Sequence, residues 1–300
     1  MSDDAPTRAR PAGFRDLLAS ATARLAAAGI ASPRVDAELL LSFALGVPRG
    51  RLILAPGPTV AEISAFQDLL ARRAAREPLQ YLLGTAAFRH LELAVGPGVF
   101  IPRPETELLV DAVLPALRAL DEPVVVDLCA GSGALGLAIA QEAPNSRVIA
   151  VERSAEALAW LRVNGAALAP DGRFSIVAGD VADLAVVDSS AFIGVVGRAA
   201  VVVSNPPYVP SSTVVDPEVA HDPGEAVFAG VDGLELMPAV FSLAARLLAP
   251  GGLVAVEHAD SHGSALVDLV VSSGEWGLVF DHSDLSGRPR FVTAVRSLLG

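Results

Sequence analysis

The 300-residue sequence contains no lysine and only one cysteine, Cys129, and both shortages narrow the possible functions. All 22 basic residues are arginine, so a P-loop, a Schiff-base lysine and any other mechanism that needs an ammonium group are excluded. A single cysteine forms no intrachain disulfide and no cysteine-rich zinc site. The cysteine content is therefore that expected of a protein of the reducing cytoplasm.

Long apolar runs are also missing. Runs such as Ala199–Val203 stop well short of the ~20 residues that a membrane helix requires. The N-terminal segment, Met-Ser-Asp-Asp-Ala-Pro-Thr-Arg, lacks the apolar stretch of a secretory signal. With 52% hydrophobic and 19% charged residues, the chain is long and apolar enough for one or two domains with a sizeable core. We therefore expect a cytoplasmic protein that does not bind a membrane.

Positive charge is scarce, since 22 arginines face 34 acidic residues and the net charge is −12. The charge is unevenly distributed along the chain. Residues 1–84 carry 10 arginines and 8 acidic residues, whereas residues 85–300 carry 12 arginines and 26 acidic residues. The acidic body predicts no direct contact with nucleic acid, because phosphate binding rests on clustered positive charge. The N-terminal part is the better surface for an anionic partner, although an ordinary mixed-charge helical surface explains the same counts.

Residues 13–84 show the three- and four-residue spacing of apolar side chains that predicts helices. A first helix ends at Gly29, a second runs from Ser32-Pro33 to near Gly46, and Thr59 caps a third. Three arginines of the third helix are expected to face outward: Arg72, Arg73 and Arg76. The pattern predicts a small helical bundle, and we assign residues 1–84 to an N-terminal helical substrate-recognition domain.

Residues 85–103 predict a β-hairpin linker, because apolar residues alternate loosely before the turn at Gly96-Pro97-Gly98. From residue 104 to 300, buried apolar strands alternate with helices, which predicts an α/β fold with a parallel, doubly wound, Rossmann-like sheet. A helix is expected at 233–249, followed by a turn at Pro250-Gly251-Gly252. The last two strands, 276–282 and 290–296, should pair antiparallel because a short loop joins them.

A glycine-rich loop follows the first strand of this region. Gly131, Gly133 and Gly136 have the G-x-G-x-x-G spacing that lets the backbone approach a nucleotide and lets the next helix pack on the sheet. Glu152 closes the second strand, where an acid accepts hydrogen bonds from ribose hydroxyls, and Asp180 follows the third strand near the expected adenine edge. These residues predict an adenosine-containing cofactor, with NAD and S-adenosylmethionine equally compatible. Cys129 is expected as a small turn residue, since no histidine adjoins it.

The most specific motif is Asn205-Pro206-Pro207-Tyr208, which follows the fourth strand. The two prolines fix the backbone and carry no N–H group, which leaves carbonyl groups free to point into a pocket. An NH2 group placed here could donate one hydrogen to the Asn205 side chain and the other to the Pro206 carbonyl. Tyr208 would form a flat wall for a planar amide or base.

With this motif the chain resembles the methyltransferases that act on amide or exocyclic amino nitrogens. Within that group it is similar to the HemK/PrmC-type glutamine-N5 methyltransferases, which modify peptide-chain release factors. The resemblance spans roughly residues 14–296 and rests on five stretches: Glu77–Gly84, Phe100–Glu107, Val126–Leu128 with Gly131–Ala134, Asn205–Tyr208, and Asp222-Pro223 with Asp232–Leu234. The chain departs from the family at three places: Cys129 replaces the usual glycine, His258-Ala259 replaces Ile-Gly after Glu257, and Val181 stands where some members have an aromatic residue.

The resemblance implies methyl transfer from S-adenosylmethionine, with S-adenosylhomocysteine as product, to the glutamine of the release factor's Gly-Gly-Gln loop. Because no strong base is evident near the motif, catalysis is expected to rest on positioning and hydrogen bonds. A monomer is expected. The implied catalytic residues are Asn205, Pro206, Pro207 and Tyr208. The implied cofactor-binding residues are Phe100, Arg103, Thr106, Cys129, Ala130, Gly131, Ser132, Gly133, Glu152, Asp180, Val181 and Asn205.

Three other functions are compatible with parts of the pattern. A DNA adenine-N6 or cytosine-N4 methyltransferase can use the same tetrapeptide on a flipped base, but the acidic charge and the missing lysine argue against it. A ribosomal-protein glutamine methyltransferase is disfavoured by the sequence Arg103-Pro104-Glu105-Thr106, which favours the release-factor branch of the family. A non-catalytic cofactor-binding adaptor is disfavoured by the intact Asn205 and glycine loop.

One further cluster, His258, Asp260 and His262, alternates like metal ligands on a strand face. A helix should begin near residue 262, so the alternation does not persist, and a fourth ligand is missing. The spacing therefore favours a polar loop, and no metal site is expected.

Overall fold

The structure is a computed structural model that describes residues 12–298. These residues divide into two units. The first comprises the residues up to Gly84 together with Val215–His221, and the second comprises Thr85–Val214 and the residues from Asp222 onward. Among the described residues, no helix combines the length and the apolar character needed to cross a membrane.

The first unit is helical, as its apolar spacing predicts. Buried leucines from its helices, together with Phe66, form its core. The predicted helix ends are present: Gly46 takes a left-handed conformation with φ 62°, and Thr59 forms a reciprocal capping box with Glu62. The helices are α1 (Ala12–Ala27), α2 (Pro33–Leu45), α3 (Val60–Ala74) and the short α4 (Leu79–Leu83).

Arg73 does not face outward, contrary to the sequence prediction. It is only 7% exposed, and its Nε donates to the Asp36 carboxylate at 2.8 Å. A terminal nitrogen of the same guanidinium donates to Glu218 at 3.0 Å. Because Asp36 is itself buried on α2, its carboxylate requires a cationic partner in the core. Arg72, one residue earlier, stays exposed and pairs with Glu77.

Other arginines of the helical unit are also neutralised by carboxylates. Arg34 and Arg49 share Glu38, and Arg76 pairs with Glu218. The unit therefore offers less free positive charge than its composition suggests. An ordinary mixed-charge surface describes it better than a binding surface for an anionic partner.

The second unit begins with the predicted antiparallel hairpin and continues into a seven-stranded sheet. The hairpin strands are β1 (Thr85–Phe88) and β2 (Leu91–Ala94). The sheet strands are β3 (Val124–Leu128), β4 (Arg147–Glu152), β5 (Phe174–Ala178), β6 (Ala199–Ser204), β7 (Leu248–Glu257), β8 (Trp276–Ser283) and β9 (Pro289–Arg296). The helices are α5 (Glu107–Arg118), α6 (Ala134–Glu142), α7 (Ala155–Leu168), α8 (Gly224–Val227), α9 (Met237–Leu247) and α10 (Gly263–Ser272).

The sheet order is β5-β4-β3-β6-β7-β9-β8. Strands β3 to β7 are parallel, and β9 is antiparallel to both of its neighbours, β7 and β8. These pairings confirm the doubly wound sheet and the antiparallel last strand. The strand order reverses at β3 and β6, and in open α/β sheets the crevice beyond the carboxyl ends of such strands binds ligands.

Two predicted boundaries near this sheet are wrong. Helix α9 begins at Met237 rather than 233, because Gly233 has a φ of +79° and belongs to a preceding turn. The predicted turn at Pro250-Gly251-Gly252 lies inside β7. The register with β6 shifts between Ala199 and Val201, so the strand absorbs these residues as a local irregularity and continues.

Candidate active site

The carboxyl ends of the parallel strands lie at one edge of the sheet. Leu128 of β3 pairs with Ser204 of β6, and Ser204 pairs with Val256 of β7. The residues that follow these positions, Cys129, Asn205 and Glu257, therefore emerge side by side. The topology brings the glycine loop, the tetrapeptide and a buried acid to the same place.

The three glycines of the loop have different structural roles. Gly131 has a φ of +56°, and a Cβ added there would meet no atom within 4 Å, so the loop has an open flank at this position. A Cβ at Gly133 would lie 2.6 Å from the Leu161 side chain, and one at Gly136 would lie 2.9 Å from the Asp127 carboxylate. Gly133 and Gly136 thus permit close packing, and Gly131 leaves room for a ligand.

Cys129 adopts a left-handed conformation with φ +59°, at the position where the family resemblance expects glycine. This conformation costs a residue with a Cβ about 1–2 kcal/mol. Burial and the nearby Glu152 carboxylate raise the pKa of the Cys129 thiol, which keeps it protonated at neutral pH. The raised pKa disfavours the thiolate, which is the nucleophilic form of cysteine.

Glu152 anchors the glycine loop to the end of β4. Its Oε2 accepts the Gly131 N–H at 2.8 Å, and its Oε1 accepts the N–H groups of Arg153 and Ser154, each at 2.8 Å. A carboxylate offers about four lone-pair sites, so Glu152 retains capacity to accept a hydrogen bond from a ligand hydroxyl.

The other residues predicted to bind the cofactor at this edge are either hydrogen-bonded within the protein or buried. Asp180 accepts hydrogen bonds from the Arg153 guanidinium at 3.2 Å and from the Ala182 N–H at 2.9 Å. Val181 is buried in the hydrophobic core, where an aromatic side chain would need more room. Ala130 and Ser132 are buried within the loop.

The tetrapeptide is held by two hydrogen bonds from its side chains. Asn205 donates through Nδ2 to the Thr106 hydroxyl at 3.1 Å, and Tyr208 donates its hydroxyl to Glu257 Oε1 at 2.8 Å. Burial and the Glu257 carboxylate raise the pKa of Tyr208 well above its ordinary value, so its hydroxyl stays a donor. Pro206 is buried and Pro207 half-buried. Thr106, which the resemblance assigns to the cofactor, is thus a direct neighbour of Asn205.

Phe100 and Arg103 contact each other on the segment that precedes α5. The Arg103 guanidinium lies over the Phe100 ring, 5.0 Å from its centroid, and forms an ion pair with Asp222. Asp222 also accepts the Ile101 N–H at 3.2 Å. Its buried carboxylate therefore fixes the segment on which both predicted cofactor residues lie.

Asn164 is an anchoring residue that the sequence reasoning missed. From α7 its Nδ2 donates to the carbonyls of Ala94 and Ser132 at 3.0 and 2.9 Å, and its Oδ1 accepts the Ala94 N–H at 2.8 Å. One side chain thus ties the hairpin to the glycine loop. The signal in the sequence was an Asn-Gly pair inside a helix, where both residues are unfavourable.

Asp127 is a second residue that was missed, although it immediately precedes the loop. It is 1% exposed, its Oδ2 accepts the Gly136 N–H at 2.9 Å, and its Oδ1 is buried with no hydrogen-bond partner in the described structure. Burial raises its pKa from an ordinary 3.8 to about 7. The ionised form is therefore costly in the folded protein.

We expect Asp127→Asn to change the pH dependence of stability. The folded state holds the Asp127 proton up to about pH 7, so this carboxyl stabilises the fold at low pH and loses that contribution as the pH rises from about 4 to 7. Asparagine keeps an acceptor for Gly136 and carries no charge. In urea unfolding, the variant should gain about 1–4 kcal/mol relative to wild type between pH 5 and 8, at 1.36 kcal/mol per pKa unit. Parallel pH profiles for the two proteins would contradict the assignment.

His258, Asp260 and His262 lie in the loop between β7 and α10, as expected, but both histidines are buried there. His258 Nδ1 donates to the Ala259 carbonyl at 2.7 Å, and its Nε2 lies 3.1 Å from Asp281. Burial and the neighbouring His258 lower the pKa of His262. Within residues 12–298, no three histidine, cysteine or acidic side chains are grouped so that they could hold a metal ion.

The profile of the PrmC N-terminal domain matches residues 16–84, and that of the methyltransferase small domain matches residues 94–222. Among solved structures, the hMettl16 catalytic domain in complex with the MAT2A 3′UTR hairpin 6 aligns with a TM-score of 0.54 at 13% identity, over 78% of this chain and 83% of that one. This likeness shows the fold alone.

Relatives with the name release factor glutamine methyltransferase align over nearly the whole chain. The protein of Mycolicibacterium smegmatis is 48% identical over 94% of this chain and 98% of its own length. That of Streptomyces coelicolor is 48% identical over 94% and 97%, and that of Deinococcus radiodurans 39% identical over 95% and 99%. With this identity over full length, the chain belongs to the release factor glutamine methyltransferase family.

Proposed function

We propose that the protein transfers a methyl group from S-adenosylmethionine to the side-chain nitrogen (N5) of the glutamine in the Gly-Gly-Gln motif of peptide-chain release factors. S-adenosylhomocysteine is the second product. The names of the full-length relatives support this substrate. The modification would tune translation termination, in which the Gly-Gly-Gln loop acts.

The hydrogen bond of Asn205 is the observation that carries the proposal. Because Nδ2 is used by Thr106, the side-chain carbonyl Oδ1 is left as an acceptor. The Pro206 carbonyl is the second acceptor expected from the motif. A primary amide carries two N–H hydrogens, so a pair of carbonyl acceptors matches the glutamine NH2 group. Pro206 and Pro207 carry no N–H group, so they present no backbone donor to the incoming nitrogen.

Orientation is the main contribution that these residues can make. An amide nitrogen is a poor nucleophile because its lone pair is delocalised into the carbonyl. Two acceptors that hold both hydrogens direct the lone pair toward the methyl donor, and such in-line positioning can contribute about 7–11 kcal/mol at its upper end. The nitrogen becomes strongly acidic once methylated, so a proton leaves without a dedicated base.

The residues at the sheet edge fit S-adenosylmethionine, which when bound supplies an electrophilic methyl group on a positively charged sulfur. Gly131 leaves an open flank, Glu152 keeps an acceptor site for a ribose hydroxyl, and Asp180 lies after the next strand. The remaining proposed contacts come from two stretches: Phe100, Arg103 and Thr106, and Cys129, Ala130, Ser132 and Gly133, together with Val181 and Asn205.

The domain roles follow from this assignment. Residues 1–84 would recognise the release factor, residues 85–103 would form a hairpin linker, and residues 104–300 would bind the cofactor and perform the transfer. Because release factors act on the ribosome, the protein would work in the cytoplasm, and we expect a monomer that makes no direct contact with nucleic acid.

The experiment that tests the proposal is intact-mass analysis of candidate release factors after incubation with the protein and S-adenosylmethionine. The expected product carries one added methyl group, located on the Gly-Gly-Gln glutamine by fragmentation. Methyl groups on DNA adenine or on a ribosomal protein, with none on a release factor, would overturn it.

Removal of the Glu152 carboxylate should weaken cofactor binding. We expect Glu152→Ala to lower the affinity for S-adenosylmethionine by about 1.5–3 kcal/mol, the scale of hydrogen bonds to a charged group. The reason is twofold, since the variant loses the ribose acceptor and frees the Gly131 N–H. Calorimetric titration is the measurement, and Glu92→Ala, which removes an exposed carboxylate of β2, is the matched control. Equal affinities for wild type and Glu152→Ala would move the ribose contact elsewhere.

A further inference from the structure

Three side chains of α7 contact the segment that leads to two of the proposed cofactor residues. Glu156, Trp160 and Asn164, the α7 row, follow one another at four-residue intervals, which places them on one face of the helix. The segment that they contact, residues 94–98, begins at the end of β2 and stops two residues before Phe100. Phe100 is therefore connected to this face of α7 through a very short stretch of backbone.

Two members of the row hold the segment through its main chain. Asn164 accepts the Ala94 N–H at 2.8 Å and donates to the Ala94 carbonyl at 3.0 Å. Trp160 donates its indole N–H to the Pro97 carbonyl at 3.2 Å. Because these bonds go to main-chain groups, they fix the path of the chain itself on the surface of the helix.

Two glycines of the segment allow α7 to approach it this closely. A Cβ added at Gly96 would lie 2.5 Å from Cζ2 of Trp160, and one added at Gly98 would lie 2.5 Å from Oε2 of Glu156. Gly98 also has a left-handed conformation, with φ +92°, whereas Gly96 does not. The three atoms nearest to an added Cβ at Gly96 all belong to the indole. The requirement for glycine at this position therefore comes from Trp160.

Other proposed cofactor contacts are attached to the same helix. Asn164 also donates through Nδ2 to the Ser132 carbonyl of the glycine loop, at 2.9 Å. Glu152 lies at the end of β4, three residues before α7 begins. Because an α-helix has a fixed rise of about 1.5 Å per residue, α7 sets the spacing between Glu152, the glycine loop and residues 94–98.

We propose that the α7 row is a positioning element for cofactor binding, with Trp160 as its central positioning residue: by holding residues 94–98, it places Phe100 and Arg103 at the cofactor site. This inference rests on the proposed binding of S-adenosylmethionine. A segment that is held in place before its ligand arrives loses little conformational freedom on binding. Its anchors therefore contribute to affinity without contacting the ligand.

The test is a size swap between Gly96 and Trp160, followed by calorimetric titration with S-adenosylmethionine. We expect Gly96→Ala to weaken binding about 10-fold or more, because the added methyl group displaces the indole from the segment that it holds. Trp160→Phe, which lacks the fused ring and the N–H donor, should weaken binding about 3-fold. In the double variant the smaller ring makes room for the methyl group, so the affinity should return to that of Trp160→Phe alone.

Gly277→Ala is the matched control, because an added Cβ at Gly277 meets no atom within 4 Å and its φ is not in the left-handed region. A variant that is merely less stable keeps its affinity while it is folded, so each titration is made well below the melting temperature. Unchanged affinity in Gly96→Ala would overturn the inference, and so would a double variant that binds no better than Gly96→Ala. A wild-type protein that binds no S-adenosylmethionine would instead overturn the proposed function, and this inference with it.

Discussion

Asn205→Ala is expected to lower the rate of methyl transfer by about 100-fold or more, which corresponds to about 2.7 kcal/mol at 1.36 kcal/mol per decade. The melting temperature should stay close to that of wild type, and the affinity for S-adenosylmethionine should fall much less than the rate, because Asn205 is only one of several proposed cofactor contacts. The reason is that Asn205 follows a strand whose core is Val201–Val203, and its own side chain makes one hydrogen bond, to Thr106. The measurement is single-turnover methylation of a Gly-Gly-Gln peptide, with Asn145→Ala as an exposed control.

Asn205→Asp distinguishes the two ends of the amide. If acceptance of the glutamine hydrogen is the main role, aspartate should retain more activity than alanine, because it keeps an acceptor. If the NH2 group matters more, aspartate should be as poor as alanine. In the wild type the NH2 group donates to Thr106, and in Asn205→Asp the Thr106 hydroxyl can donate to the carboxylate instead, so the contact between the two side chains can be kept. Full activity of Asn205→Ala would contradict the assignment of this residue.

The second large effect is expected in the helical unit. Arg73→Met should reduce the free energy of unfolding by about 3–5 kcal/mol, because it leaves the buried Asp36 carboxylate without a cation. It also removes one of the two arginines that hold Glu218, and with it part of the attachment of Val215–His221 to this unit. Urea unfolding followed by circular dichroism is the measurement.

Arg72→Met is the matched control for this prediction. Arg72 is the preceding residue of α3 and forms an exposed ion pair with Glu77, which is worth about 0–1 kcal/mol. The double variant Arg73→Met with Asp36→Leu should recover much of the lost stability, because an apolar pair replaces a broken ion pair. Equal destabilisation by Arg72→Met and Arg73→Met would show that the buried ion pair contributes no more to stability than the exposed one.

The sequence alone determined the local structure and the sites where chemistry is concentrated. Thr59 marked a helix start and Gly46 a helix end, and the structure has both. These features depend on residues within one or two turns of each other, so their physics is present in a short window. The glycine loop and the tetrapeptide were found in the same way, as contiguous motifs after strands.

Only the tertiary structure decided how distant polar groups are paired. Thr106 and Asn205 are 99 residues apart, and Arg73 and Glu218 are 145 apart, so no local pattern links them. A buried donor or acceptor must find a partner wherever the packed strands and helices bring one, and this choice depends on strand order and register. The same register that sets Asn205 beside Glu257 also buries His258, which the sequence had placed in a polar loop. Motifs in the sequence identify the residues of the site, and the packing of β6 against β7 determines which of them are in contact.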